Sequence, residues 1–340
     1  MNRFAWHRAE SVDDALRLLA ADPQARPIAG GTNLVDLMKY DVEKPSALVD
    51  ITRLPLTAID DIEGGGLRLG ALATNADTAH DPRVSARYPL LASAILAGAS
   101  AQLRNAATNG GNLLQRTRCY YFYDPCAPAC NKRAPGSGCG AIGGVNRIHA
   151  ILGASDSCIA THPSDMCVAL AALEAVVVAQ SASGGERRIP LADFHRLPGN
   201  RPEQDHTLQA GELVTAIELP PADFGPNHTY LKLRDRQSYA FALVSVAAAL
   251  KIEQGTVRTA RIAVGGVAHK PWRVPRAEAL LEGQAPTAER FAAVADALLE
   301  GAVGQGGNDF KIELARRAIR RALAQAAAGT PQPTSDKRIA

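Results

Sequence analysis

Aromatic side chains are scarce in this chain: seven Phe, seven Tyr and two Trp make up 5% of its 340 residues, and there are only three Met. Its core must therefore be built from aliphatic groups, and with 46% hydrophobic residues it has enough of them. Also missing is any apolar run near the ~20 residues that a transmembrane helix needs, so no membrane insertion is expected. Neither sign of charge dominates, because 37 basic side chains face 34 acidic ones. That balance leaves no electrostatic footprint for nucleic acid or an anionic surface. The opening Met1-Asn2-Arg3-Phe4-Ala5-Trp6-His7-Arg8 lacks the basic-then-apolar pattern of a secretory signal, so the chain is expected to carry no signal of its own.

Cysteine is absent before residue 119 and after residue 167. Between them lie Cys119, Cys126, Cys130, Cys139, Cys158 and Cys167, a crowding that in a signal-free chain points to metal or iron–sulfur ligation before disulfides. Structural zinc favours two C-x₂₋₄-C knuckles, and only Cys126 and Cys130 approach that spacing. Irregular spacing on a looped segment suits an iron–sulfur cluster, whose negative charge Arg116, Arg118, Lys132 and Arg133 can offset. The run Tyr120 to Tyr123 can shield such a cluster from water. A loop of free or disulfide-bonded cysteines is the alternative, and Cys167, inside Met166-Cys167-Val168-Ala169-Leu170, reads as a buried core thiol.

A length of 340 residues suggests about two domains. Ser11-Val12-Asp13-Asp14 is a capping box that opens a first helix, and Pro27-Ile28-Ala29 reads as a short strand. Leu34, Leu37 and Met38 then mark a short helix, Leu67 to Leu72 alternates like a strand, and Pro89 to Ala97 is a helix closed by Gly98. Periodicity is lost from Leu103 to about Cys158. Ile159-Ala160-Thr161 reads as a strand and Pro163 as the start of a helix, followed by strands at Ala175–Ala179 and Leu213–Leu219. After Pro220-Pro221 three antiparallel strands are expected, at Tyr230–Leu233, Phe241–Leu250 and Val257–Val264, then helices near Arg276–Leu281, Thr287–Leu299 and Phe310–Ala326. The polar end over 329–340 reads as a flexible tail.

Two glycine turns share one chemistry. In Ala29-Gly30-Gly31-Thr32-Asn33 and Ala107-Thr108-Asn109-Gly110-Gly111-Asn112, paired glycines let backbone N–H groups converge on an anion, and Thr and Asn add donors. The first lies between a strand and a helix, where a helix N-terminus favours phosphate. Two such turns suit the two phosphates of a dinucleotide, although either alone is equally compatible with a plain tight turn. Neither has the spacing of a Rossmann or P-loop motif, and the literal G-x-G-x-x-G at Gly138 to Gly143 follows a turn, not a strand.

Taken together and in this order, these motifs resemble the FAD-binding medium subunit of the xanthine oxidase family of molybdenum hydroxylases. The resemblance spans nearly the whole chain, and within the family it is nearest to the FAD and iron–sulfur subunits of bacterial aldehyde oxidoreductases. Pro27-Ile28-Ala29-Gly30-Gly31-Thr32-Asn33-Leu34 and Thr108-Asn109-Gly110-Gly111-Asn112-Leu113 match the two FAD-pyrophosphate turns. His162-Pro163-Ser164-Asp165-Met166 matches the segment whose Asp contacts the ribose and adenine side. Tyr230-Leu231-Lys232-Leu233-Arg234 and Tyr239-Ala240-Phe241-Ala242 are similar to the stretch beside the isoalloxazine ring. The cofactor-binding residues so implied are Pro27, Ile28, Ala29, Gly30, Gly31, Thr32, Asn33, Leu34, Thr108, Gly110, Gly111, Asn112, Asp165, Leu213, Val214, Lys232 and Tyr239.

The resemblance implies an α+β fold: a vanillyl-alcohol-oxidase (PCMH)-type FAD domain over 1–221, with subdomains of about 1–60 and 61–221 and an iron–sulfur loop at about 115–160. A C-terminal domain like that of CO dehydrogenase flavoproteins follows over 222–328, a three-stranded antiparallel sheet with a three-helix bundle. The implied role is electron transfer with no catalytic base on this chain: [2Fe–2S] centres of a small subunit and the molybdenum cofactor of a large one supply electrons, and FAD passes them to an external acceptor. The aldehyde-oxidoreductase branch adds a [4Fe–4S] cluster, and its pattern points to Cys119, Cys130, Cys139 and Cys158 as ligands, with Cys126 either a spare thiol or a substitute for a neighbour. Some family complexes are exported folded on a partner's signal, so cytoplasm and periplasm both remain open.

Simpler roles stand beside these. Asp165 suits a helix cap, Lys232 an exposed edge charge, Tyr239 a half-buried aromatic, and His162 and His269 turns before prolines. Arg316, Arg317, Arg320 and Arg321 read as a solvated or subunit-facing surface. A self-contained flavin oxidase or reductase, or a metal-stabilised binding module, is the alternative function.

Overall fold

The computed structural model describes residues 1–329, so the tail expected over 329–340 falls, from residue 330 on, outside the described residues. The chain opens with β1 (Ala5–Arg8), α1 (Val12–Ala21), β2 (Arg26–Ile28), α2 (Leu34–Lys39) and β3 (Ala47–Asp50). The three strands form a parallel sheet in the order β1-β3-β2, as helical crossovers require. Helix α1 starts where the capping box predicts: the Ser11 hydroxyl accepts the Asp14 N–H at 3.0 Å, while the Asp14 carboxylate reaches back to the Glu10 N–H. Its Ala15, Leu16 and Leu19 face the sheet.

A second unit contains β4 (Ile59–Ile62), β5 (Gly66–Gly70), α3 (Asn75–His80), α4 (Pro82–Arg87), α5 (Pro89–Ala97), α6 (Ala101–Arg104), α7 (Asn109–Leu113), α8 (Tyr120–Tyr123), α9 (Asp165–Ala172), β6 (Val176–Gln180), β7 (Glu186–Pro190), α10 (Leu191–Phe194) and β8 (Leu213–Leu219). Its five strands are antiparallel in the order β4-β5-β8-β6-β7. The central β8 is buried along its full length, whereas β4 and β7 are edges with exposed charged residues.

The last unit has β9 (His228–Leu233), β10 (Val244–Glu253), β11 (Thr256–Gly265), α11 (Pro275–Glu278), α12 (Ala288–Leu298) and α13 (Phe310–Ala327), with sheet order β11-β10-β9. Alternation along β10 decides what each face meets. Val246, Ala248 and Leu250 join α12 and α13 in one core, while Ala247 and Ala249, with Ala263 of β11, join α5 and α9 in another. Small alanines on that second face let the helices approach closely, so the sheet is a shared wall between the second unit and the C-terminal helices.

Several expectations are corrected. Ile159-Ala160-Thr161 is not a strand: Ile159 accepts the Ala150 N–H, the next residue but two donates to Ala268, and no ladder forms. Pro163 does not open α9; Ser164 caps it, accepting the Cys167 N–H at 3.0 Å. The strand expected from Phe241 begins at Val244, because Phe241 is exposed beneath the Arg118 guanidinium. The α11 helix spans only four residues. Strands β1, β3, β4 and β7 lacked a legible signal, since edge strands such as β1 and β4 carry no clear apolar alternation.

The two glycine turns touch backbone to backbone. A Cβ at Gly30 would overlap the Ala106 carbonyl, and Gly31 has φ +68°. Gly30→Ala is therefore expected to cost about 1–3 kcal/mol by forcing the turns apart. Urea unfolding of the flavin-free chain measures it; an unchanged midpoint would show that the contact yields freely.

Candidate functional site

Strand β2 delivers Pro27 and Ile28, and the chain then turns through Ala29, Gly30, Gly31, Thr32 and Asn33 into Leu34, the first residue of α2. Gly30 and Thr32 are exposed at the rim, while Ile28 is packed in the core. The second turn is pinned from below. Asn109 is fully buried, donating to the Gly70 carbonyl (3.2 Å) and Thr78 Oγ1 (2.9 Å), and the Gly110 N–H donates to the Ala71 carbonyl. Thr108 caps α7 by accepting the Gly111 N–H, and Gly111 is exposed. Asn112 donates to Asn75 Oδ1 at 2.7 Å and accepts from Gln115 and from Ser164 Oγ, both at 2.6 Å. The cap of α9 is thus fastened to the second turn.

Asp165, next to that cap, is not itself a cap. Its carboxylate accepts from the Tyr230 hydroxyl at 2.6 Å and from Lys232 Nζ at 2.8 Å. Burial first, and the Asp165 charge second, push the Tyr230 hydroxyl well above its usual pKa, so it stays a donor. Lys232 is no edge charge: its side chain is 4% exposed and also donates to the Ala97 carbonyl. With Arg104 Nη1 on the Gly98 carbonyl, cations cover the C-terminal end of α5. Leu213 and Val214 begin β8 and are buried, Leu213 in the α1 core and Val214 in the main core. Tyr239 stands apart; it is 57% exposed rather than half-buried, has φ +50°, and its carbonyl accepts from Arg236.

Residues 115–160 wrap around a small cavity. Cys119, Cys130, Cys139 and Cys158 all line it, with Tyr121 and Phe122 from the aromatic run in the wall. Cys126 is exposed, does not line the cavity, and its N–H is taken by Asp124. Cys167 lies in the main core. Burial raises the Cys119 and Cys158 thiols to about 12 and about 11, with neighbouring cysteines adding to the rise. No three of the four thiols fall within 4.8 Å of one another; among the described residues the only metal-capable group that compact is His162, Cys167 and His195.

Residues 2–222 match the model of the FAD binding domain in molybdopterin dehydrogenase, and residues 228–326 match the CO dehydrogenase flavoprotein C-terminal domain. The chain is similar to the aldehyde oxidoreductase FAD-binding subunit PaoB of Escherichia coli K12, at 49% identity over 96% of this chain and 99% of that one. The chain is an FAD-binding medium subunit of the molybdenum hydroxylase family. A more distant relative of this medium subunit is the glyceraldehyde dehydrogenase medium chain of Sulfolobus acidocaldarius, 30% identical over 81% of this chain and 79% of that one. Among solved structures, the carbon monoxide dehydrogenase of Hydrogenophaga pseudoflava has a chain that superposes with a TM-score of 0.75 at 28% identity, over 96% of this chain and 98% of its own. The medium subunit is an oxidoreductase component, and none of its described helices is long and apolar enough to cross a membrane.

In this medium subunit the cations of the cysteine segment mainly pin the loop. Arg133 donates to the carbonyls of Tyr121, Phe122 and Ala127. Arg118 bonds the Tyr123 hydroxyl, and Arg116 lies over the Phe122 ring while pairing with Glu43 and Asp205. Lys132, in the cavity wall, pairs with Asp205, to which His269 also comes within 3.2 Å. His269 is thus buried in an ion cluster and is no simple turn residue; His162 is buried too, its ring packed on His195 at 4.2 Å. Sequence reasoning missed Asp205, His149 and Asn75, which lie outside every motif. Arg316 and Arg317 lie on the surface of the chain, paired with Asp296 and Glu313.

Burial alone would raise the Asp205 carboxyl, but Arg116, His269 and Lys132 outweigh it and hold it well below the ordinary carboxylate range. A depressed carboxyl stabilises the fold above its unfolded value of about 3.9, and the contribution is lost as pH falls below that. Asp205→Asn leaves a buried lysine unpaired and is expected to cost about 3–5 kcal/mol at neutral pH. It should also flatten acid unfolding below about pH 4; a neutral-pH loss under about 1 kcal/mol would show the network to be dispensable.

Proposed function

We propose that this medium subunit is the electron-transfer component of a heterotrimeric molybdenum-containing aldehyde oxidoreductase that converts aldehydes to carboxylic acids. A large subunit with the molybdenum cofactor holds the substrate, a small subunit carries [2Fe–2S] centres, and this chain passes their electrons to an external acceptor. The observation that carries the reading is the coexistence, on one chain, of two adjoining glycine turns exposed at Gly30 and Gly111 and a separate cavity walled by four thiols. The name of the Escherichia coli relative supports the aldehyde class.

FAD, when bound, accepts electrons and releases them to a second acceptor. Toward it, Gly111 has no side chain to block close approach, Gly30 seats on Ala106 and holds the two turns together, and Gly31, Thr32, Asn33 and Thr108 border them. Pro27, Ile28, Ala29 and Leu34 shape the first turn, and Gly110 and Asn112 the second. Asp165, held by Tyr230 and Lys232, presents a fixed carboxylate; Leu213 and Val214 contribute from the start of β8, and exposed Tyr239, with Arg236 over its ring, from the loop after β9. The domain division accompanying this reading is 1–221, with halves of about 1–60 and 61–221, and 222–328.

The thiol cavity fits a [4Fe–4S] cluster better than zinc. Tetrahedral zinc, with Zn–S near 2.3 Å, draws its sulfurs within about 3.8 Å of one another, and no three of these thiols gather even within 4.8 Å. Cys119, Cys130, Cys139 and Cys158 are its ligands, and Cys126 is spare. Asp165, Tyr230 and Lys232 satisfy one another, so none of these three stands ready as the base that a self-contained oxidase needs. The complex works in the cytoplasm, or in the periplasm if a partner brings about its export after folding.

Replacing any of Cys119, Cys130, Cys139 or Cys158 with Ser is expected to reduce iron below about four per chain and bleach the iron–sulfur absorbance. Cys126→Ser should retain both; full iron in Cys130→Ser would sink the ligand set. Gly111 has space around it except for Thr108 Oγ1 at 3.1 Å. Gly111→Ala should therefore spare the flavin-free fold yet weaken FAD binding about tenfold, or about 1.4 kcal/mol. Flavin fluorescence titration reads this, and unchanged affinity would remove Gly111 from the crevice.

A further inference from the structure

We propose that His149 tunes the reduction potential of the [4Fe–4S] cluster by donating its Nε2–H to the sulfur of Cys119. The inference rests on the cluster reading above and adds a residue that lies outside the ligand set. His149 is 1% exposed and lines the same cavity as the four thiols, with Nε2 3.0 Å from Cys119 Sγ.

The ring is aimed there by the far end of the chain. The His149 carbonyl accepts from Lys311 Nζ at 2.7 Å and from Asn308 Nδ2 at 3.2 Å, and its N–H donates to the Asn146 carbonyl at 2.9 Å. Asn308, just ahead of α13, and Lys311, in its first turn, are fully buried. Lys311 also donates to the Gly266 carbonyl, so its ammonium ties the C-terminal sheet to this one stretch of cysteine loop. Burying an ammonium against carbonyls alone is costly, and here it fixes the backbone of a residue whose side chain faces a ligand sulfur. Tyr120 packs edge-on against the ring at 6.3 Å.

The surroundings also select the tautomer. Nδ1 is buried without a partner, so a proton on it would be an unsatisfied donor, and Nε2 would then turn a lone pair on a thiolate. With the proton on Nε2, the ring instead donates to sulfur. Reduction adds one electron to the cluster and makes its sulfurs more negative; no bond forms or breaks, and the proton stays on Nε2. The donor stabilises the reduced state more than the oxidised one, and hydrogen bonds to cluster sulfurs are among the factors that set potential.

The test is an anaerobic dithionite titration, followed by electron paramagnetic resonance, of the full chain and of His149→Leu and His149→Gln, with iron counted in each. His149→Leu should keep its iron and shift the reduction equilibrium about tenfold toward the oxidised state, about 59 mV lower for a one-electron couple. His149→Gln restores an N–H donor and should recover at least half of that shift. An unchanged potential in an iron-replete His149→Leu overturns the proposal, as does a His149→Gln potential no higher than that of His149→Leu. Iron loss from both variants also overturns it, marking His149 as a ligand or a packing residue. Absence of iron from the unmodified chain would instead overturn the cluster reading itself, and it is observed before any variant is made.

Discussion

Asp205 is the charge around which the cysteine loop is organised. Arg116 precedes the first cavity cysteine, Lys132 follows the second, and His269 comes from the C-terminal unit, and all three meet on this one carboxylate. A segment as long as 115–160, with only short helical turns, cannot be held by an amphipathic face, so its backbone and its few anchors must be satisfied by polar groups. Arg133 on three loop carbonyls, and Asn308 and Lys311 on the carbonyls at its far end, follow the same logic. The loop is a polar lattice closed around a small thiol-lined space, and removing one charge leaves the others uncompensated inside the protein.

That lattice reaches the first glycine turn through Asn33. Its Oδ1 accepts the Arg116 N–H at 2.9 Å, and its Nδ2 donates to the Tyr123 hydroxyl at 3.3 Å, so a residue of the first glycine turn is held by the cysteine loop. The second turn is held by another route, Asn112 to Ser164, whose neighbour Asp165 carries the contacts to β9. The two glycine turns and Asp165 are therefore held by the first unit, the second unit and the C-terminal sheet together. An arrangement so distributed is rigid only when all three are packed, and the alanine-lined face of β10 contributes to that packing.

Local signals were legible where a short stretch carries its own physical reason. The Ser11 cap, the glycine turns, the helix from Pro89 and the alternating strands after residue 227 are examples. They failed where a neighbour decides. Ile159 to Thr161 has strand-forming residues but no ladder to join, and β1 is a strand only because β3 pairs with it. Asp165 and Lys232 were each legible as residues, but their pairing joins positions that no periodicity connects. Cys126 and Cys130 have the spacing of a metal knuckle, yet chain direction after Pro125 turns Cys126 to solvent.

What the sequence alone determined is the chemical inventory: two glycine turns with no Cβ to block a ligand, and cysteines confined to one aperiodic segment in a nearly charge-balanced chain. These follow from composition and order, which folding does not alter. Only the tertiary structure decided which four thiols share a wall, that Gly30 seats on Ala106, and that Lys311 and Asn308 aim His149 at Cys119. Those contacts are between residues distant in the chain, and their energies come from burial and hydrogen-bond satisfaction, which exist only once the units are packed against one another.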